Sequence, residues 1–211
     1  MESSSQIYRR IGKRAFDLTM VIASLPIVLP LVVILALLTR FRFGLPVLFR
    51  QERLGLAGQP FIIRKFTTMT DSRDSAGNLL PDAQRLTSTG RFMRATSLDE
   101  LPELLNILRG EMSFVGPRPL HSRYGDRYTP HQFRRHEVLP GITGWAQVNG
   151  RNALSWEAKF DLDVWYVDHQ SFWVDLKIIG RTILKLVSRE GISQPGQATA
   201  EEFKGSLRNG A

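Results

Sequence analysis

The 211-residue chain contains no cysteine. Disulfides, thiolate-bound zinc and a cysteine nucleophile are therefore excluded, and a reducing compartment is permitted. There is no Walker loop, no Gly-x-Ser-x-Gly elbow and no His-Glu-x-x-His, while Gly55/Gly58 and Gly141/Gly144 are too sparse for a dinucleotide fingerprint. Histidine is scarce: His121, His131, His136 and His169 show no ligand spacing and read as structural or surface groups. Acidic residues are in deficit, 20 against 28 lysines and arginines, for a formal charge of +8. That balance suits nucleic acid, anionic lipid or a phosphate-rich ligand, and charge alone does not choose among them. No internal repeat or interdomain linker appears, and the length suits one compact domain with an appendage.

What is present begins at the N-terminus. From Leu18 to Thr39 the run LTMVIASLPIVLPLVVILALLT carries no charge. At about 1.5 Å per residue it reaches about 33 Å as a helix, one bilayer's hydrocarbon core. RFRFG follows it rather than a small-residue cleavage site, which argues against a secretory signal. Arg9, Arg10, Lys13 and Arg14 precede the run and Arg40, Arg42, Arg50 and Arg53 follow it, so a straight span puts one basic cluster on the wrong side. Pro26 and Pro30, one turn apart, each remove a backbone donor near the middle. A re-entrant helix–break–helix over residues 1–40, turning at these prolines with both ends on the cytoplasmic face, satisfies both facts. A proline-kinked span is the alternative.

Residues 41–211 read as a helix-rich mixed α/β domain. PVLFRQERLGLAGQPFIIRKFTTM predicts a short β-hairpin turning at Gly55 to Gly58, with Phe61, Ile63 and Lys65 on one face. A polar loop, DSRDSAGNLLPD, comes next. Helical material from Tyr128 to Glu137, the glycine-punctuated LPGITGWAQVNGRN and a helix from Trp156 to His169 follow, and the tail from Gly191 reads as polar and mobile. Between them, FWVDLKIIGRTILKLVSREG sets Leu176, Ile179, Ile183 and Leu186 against Lys177, Arg181, Lys185 and Arg189, an amphipathic helix for either the membrane interface or the core.

The chemistry concentrates in SLDELPELLNILRGEMSFVGPRP, Ser97 to Pro119. Ser97 and Glu100 fit a capping box ahead of Leu101, Leu104, Leu105 and Leu108 at helical spacing, so Asp99 and Glu100 open a helix whose dipole keeps Asp99 ionised. Arg53, Lys65, Arg94, Arg118 and Arg151 are the cations a diphosphate would want. Among them Arg118 lies between Pro117 and Pro119, which fix the direction of its guanidinium. Two carboxylates beside a diphosphate repel it unless a divalent cation intervenes, so Asp99 and Glu100 predict a Mg²⁺ site. Asp161-Leu162-Asp163 spells the DxD of metal-dependent glycosyltransferases. Within a predicted helix, alternating acids read as a solvated face instead.

The chain resembles the monotopic phosphoglycosyl transferases, the bacterial sugar transferase family acting on polyprenyl phosphate. The resemblance covers nearly the whole length and rests on KRAFD (Lys13 to Asp17), QERLG, RKFTTM, SLDELPELLNILRGEMSFVGPRP, PGITGWAQVNGRN and GQATAEEF. Size and C-terminal motif are most similar to small stand-alone members that transfer phospho-diacetylbacillosamine or a related N-acetylated sugar. The resemblance implies that Asp99 attacks the β-phosphorus of a UDP-sugar, releasing UMP, and that undecaprenyl phosphate then takes the phosphosugar from the carboxylate. It also implies that Glu100 helps bind Mg²⁺, that Arg118, Arg94 and Lys65 contact phosphate, and that the protein sits in one anionic leaflet on the cytoplasmic face of a bacterial inner membrane, without nucleic acid. Three positions depart from the pattern: Leu29 before Pro30 where serine is common, Thr67 where a basic residue is frequent, and Leu139 where arginine is common. A metal-dependent glycosyltransferase using Asp161 and Asp163, and a non-enzymatic basic membrane anchor, are the competing readings.

Overall fold

A computed structural model describes residues 4–150, 154–188 and 202–205. The charge-free run forms one long α-helix, Lys13–Phe43, entered through a π-helical turn, Tyr8–Gly12. Where a helix–break–helix was expected, the helix continues through Pro26 and Pro30. Each proline deletes one backbone hydrogen bond and pushes against the preceding turn, which bends a helix without having to end it.

One stripe of this helix is buried against the rest of the chain. Val21 and Val28 pack with Ile63, Leu104, Ile107 and Met112, and farther along Leu35 packs with Phe66 and Met93. The opposite face leaves Ile22, Ile27, Leu29, Ile34 and Phe41 exposed. Near its start, Lys13 Nζ lies 2.6 Å from Asp175 Oδ2; near its end, Arg42 Nη2 lies 3.4 Å from Thr89 Oγ1. Both ends of the helix therefore rest on the same globular domain.

The hairpin forms as its alternation predicts. Strands β1 (Leu48–Leu54) and β2 (Pro60–Phe66) pair antiparallel, with Phe49 opposite Lys65 and Arg53 opposite Phe61. Ile63 enters the core, and Lys65, two residues on, reaches the Asp99–Glu100 turn.

Two further strands, β3 (Ser113–Val115) and β4 (Gly141–Thr143), pair in parallel. Just past β3 the chains approach so closely that only glycine fits. A Cβ on Gly116 would sit 2.2 Å from the Leu139 carbonyl oxygen, and one on Gly141 would sit 2.1 Å from the Gly116 nitrogen. The crossing is closed by Gly116 N–H donating to Thr143 O at 2.9 Å and Gly141 N–H donating to Pro117 O at 3.0 Å. Arg118 leaves this clamp two residues later, so its direction is set by backbone packing as well as by its flanking prolines.

A buried polar network ties the long helix to the same strand. Asp175 accepts from Tyr8 Oη (2.6 Å), Lys13 Nζ (2.6 Å) and Tyr166 Oη (2.7 Å). Asp17 accepts from Ser113 Oγ at 2.9 Å and from the Phe114 N–H at 3.2 Å. Asp175 is satisfied as a buried charge must be, whereas Asp17 Oδ2 is buried without a hydrogen-bond partner.

The helix Trp156–His169 forms as expected, followed by Phe172–Ser188. The second one divides differently from its predicted stripe. Asp175 and Ile178 are buried, while Leu176 and Ile183, together with Trp173 and Leu184, stand exposed. Leu186 and Arg189 lie outside the described side chains. The tail also departs from expectation at Phe203, whose ring is 1% exposed among Tyr124 and Phe160. An aromatic side chain surrounded by other rings outweighs the polarity of its neighbours.

Gly116→Ala should lower stability by about 1–3 kcal/mol, because the new methyl forces the β3–β4 crossing apart. Thermal unfolding in detergent measures it, and an unchanged midpoint would refute the close-packing account.

Candidate active site

The sequence around Asp99 does not fold as a capped α-helix. Leu98–Glu103 is a 3₁₀ turn, and regular α-helix is confined to Leu104–Leu108. Pro102, inside the turn, has no N–H to feed an α-helical ladder. Ser97 therefore caps nothing with its side chain. It adopts a left-handed backbone (φ 55°), and its carbonyl accepts the Glu100 N–H at 3.2 Å. A serine held there stores roughly 1 kcal/mol or more of strain, a cost typical of functional turns. Leu104 faces the core, whereas Leu105 and Leu108 are exposed.

Three segments converge on this turn. Lys65, from β2, places Nζ 2.6 Å from Glu100 Oε1 and 3.1 Å from Glu103 Oε1. Arg118, from the glycine clamp, places Nη2 2.6 Å from the same Glu100 oxygen. Arg94 is tethered beside them by Nε donating to Thr68 Oγ1 at 3.0 Å. Arg53, from the end of β1, hydrogen-bonds the Gln51 side chain and lies within the electrostatic reach of Arg118 and Glu103. Of the five cations read from the sequence, four gather around the turn, while Arg151 lies outside the described residues. Glu103 was missed, although its place one turn after Glu100 was a usable signal.

The carboxylates are driven apart in proton affinity. Asp99 is 7% exposed, and its pKa is pushed up to about 6 by burial and then by Glu100, against the pull of Lys65, Arg94 and Arg118. Burial therefore sets the direction of the shift at this turn, while a pKa of about 6 still leaves Asp99 mainly ionised at neutral pH. Glu100 is also desolvated, yet Arg118 and Lys65 outweigh that penalty and hold it well below the usual carboxylate range. Glu103 is pushed up to about 7, chiefly by burial. One carboxylate is fixed as an anion by two cations while its neighbour is left poised, a separation typical of working sites.

Glu100 uses only Oε1 in its two ion pairs, so Oε2 is not engaged by Lys65 or Arg118. Two carboxylates with substrate oxygens and water are the usual donor set for Mg²⁺. The DxD pair does not form such a set. Asp163 is buried with Arg135 Nη2 at 2.8 Å, and Asp161 is exposed with His131 Nε2 at 3.1 Å. Residues two apart on a helix point in different directions, and Asp163 lies on the buried face rather than the solvated one expected. Among the described residues no group of three or more His, Asp or Glu could hold a metal ion.

A buried carboxylate poised between cations is equipped for transfer from a phosphate ester, and the comparisons with known proteins give the class: a phosphoglycosyl transferase. The chain belongs to the Bacterial sugar transferase family, whose profile matches residues 8–189. It is 57% identical over 194 residues to the uncharacterized sugar transferase EpsL of Bacillus subtilis, covering 92% of this chain and 96% of that one. It is 36% identical over 186 residues to the UDP-glucose:undecaprenyl-phosphate glucose-1-phosphate transferase of Escherichia coli, covering 83% of this chain and 40% of that one. Over 195 residues it is 34% identical to the UDP-N-acetylgalactosamine-undecaprenyl-phosphate N-acetylgalactosaminephosphotransferase of Aeromonas hydrophila, covering 89% of this chain and 46% of the relative. The chain therefore spans nearly all of the first relative and less than half of the other two.

A carboxylate whose pKa is higher folded than unfolded weakens the fold once ionised. For Asp99 the penalty is absent below its ordinary 3.8, grows with pH, and is complete above about 6. Asp99→Asn should therefore raise stability by about 2–3 kcal/mol at pH 7.5 and leave it unchanged below pH 4. Unfolding midpoints at the two pH values test this; a variant less stable than the parent at pH 7.5 would contradict the assignment.

Proposed function

We propose that this transferase moves a sugar 1-phosphate from a UDP-sugar to undecaprenyl phosphate through a covalent intermediate on Asp99. The observation that carries the reading is the Asp99–Glu100 turn, where one acid is desolvated and poised while its neighbour is neutralised by Lys65 and Arg118. In the first displacement an Asp99 oxygen attacks the β-phosphorus. A carboxylate–phosphorus bond forms, the bond from the β-phosphorus to the bridging oxygen breaks, and the electron pair leaves with UMP. In the second, a phosphate oxygen of the lipid attacks the same phosphorus, makes the diphosphate and returns the electron pair to Asp99. Neither displacement needs a general base, because both nucleophiles are already anions. Arg118, Arg94 and Lys65 neutralise the charge that builds on the phosphoryl oxygens. Asp99 and Glu100 would hold Mg²⁺, which would screen the diphosphate from the two carboxylates.

The same reading places the protein in one leaflet, on the cytoplasmic face of a bacterial inner membrane. Its support is that both ends of the long helix dock on one domain while the exposed face carries Ile22, Ile27 and Ile34. Trp173 and Leu184 add a second apolar surface, on the helix Phe172–Ser188. The donor is read as N-acetylated, on the resemblance to small stand-alone members and on the substrate named for the Aeromonas relative.

With purified protein, UMP release from a UDP-sugar should require undecaprenyl phosphate for turnover, fall by about a thousandfold or more in Asp99→Asn, and stop on chelation with recovery on adding Mg²⁺. Undiminished turnover by Asp99→Asn would remove the nucleophile assignment. In a panel of UDP-sugars, tenfold or greater preference for a donor lacking the acetamido group would overturn the choice of sugar.

A further inference from the structure

The described residues 202–205 lie beyond the family match, which ends at 189, yet they dock next to the active site. Phe203 packs between the rings of Tyr124, Tyr128, Trp156 and Phe160, with centroids 5.0–5.8 Å away. Its N–H donates to Tyr124 Oη at 3.3 Å, and its carbonyl accepts from Arg127. This plug holds the neighbouring Glu202 over two arginines: Oε1 lies 2.9 Å from Arg127 Nη1 and 3.4 Å from Arg123 Nε.

The arginines belong to a 3₁₀ segment, Ser122–Arg127, that follows Arg118 by a few residues and abuts Arg53 through the Arg53–His121 bridge. Positive charge is in surplus there. Among the described residues Arg53 has no carboxylate in ion-pair range, and its buried Nε has no hydrogen-bond partner. The surplus registers on neighbouring groups: Arg53 is pushed down to about 10 by burial and then by Arg118 and Arg123, and His121 is pushed down to about 4 by burial and then by Arg53 and Arg123. An under-neutralised guanidinium in a cationic cluster is a place where an anion is stabilised.

We propose that Arg53, Arg123 and Arg127 form a phosphate subsite extending the Arg118 site, and that Glu202, anchored by Phe203, is its counter-ion when no substrate is bound. The incoming phosphate displaces Glu202, which is an easy exchange because the Arg123 and Glu202 side chains are 56% and 43% exposed and such pairs are weak. This inference rests on the transferase reading above, in which the donor nucleotide and the lipid acceptor each bring a phosphate. The nucleotide is the expected occupant.

Full-length protein in nanodiscs, titrated with UMP at low salt, provides the test. Glu202→Gln should tighten UMP binding two- to fivefold and Arg123→Gln should weaken it by a similar factor, with both differences shrinking at about 0.5 M salt. A parallel arm measures the KM for undecaprenyl phosphate. A shift of that KM in Glu202→Gln with UMP affinity unchanged assigns the subsite to the lipid phosphate instead. If neither quantity moves, the subsite is refuted, and normal UMP binding by the parent protein leaves the transferase reading standing. Absence of UMP binding and of UMP release in the parent would strike that reading and the subsite with it.

Discussion

The double ion pair at Glu100 is the constraint on which the site depends. Lys65 comes from a β-hairpin and Arg118 from a glycine-clamped crossing, and both close on one carboxylate oxygen at 2.6 Å. Glu100 is largely buried, so leaving it without Lys65 costs more than breaking an exposed pair would. The pairing therefore does two things at once. It fixes the relative positions of three chain segments, and it keeps Glu100 ionised next to Asp99. At Asp99, burial and that like charge outweigh the pull of Lys65, Arg94 and Arg118 and raise its proton affinity.

The membrane-facing helix is joined to this chemistry by charge rather than by lipid. Lys13 and Asp17 come from the KRAFD stretch, ahead of the apolar run. Lys13 binds Asp175, and Asp17 binds Ser113 and Phe114 of β3. That strand leads through Gly116 to Arg118. The position of the long helix and the Arg118 segment are thus parts of one packed unit, joined through buried, hydrogen-bonded groups of β3. Exposed apolar residues remain on the far face of the helix, where a soluble domain would ordinarily place polar ones.

Much of this was legible in the amino-acid order. Alternation in PFIIRKF put Ile63 and Lys65 on one face of a hairpin, an uncharged run announced the long helix, and Asp99, Glu100 and Arg118 stood out by residue type and neighbours. Local pattern misled where local and non-local forces compete. Ser97 and Glu100 spell a capping box, but Pro102 and the pull of Lys65 and Arg118 on Glu100 favour a tighter turn. The DxD at Asp161 reads as one feature until a helix sends its two acids to opposite environments. Phe203 looks like part of a polar tail until five rings are brought together from three segments.

By itself, then, the sequence determined the β1–β2 hairpin, the long apolar helix, the helix Trp156–His169 and which residue types are available for phosphate chemistry, since periodicity and side-chain chemistry act over a few residues. The tertiary structure alone decided that Asp99 is poised while Glu100 is pinned, that Gly116 aims Arg118, and that Glu202 reaches Arg123 and Arg127. Those outcomes depend on desolvation and on charges from distant segments, and neither quantity exists until the chain has packed.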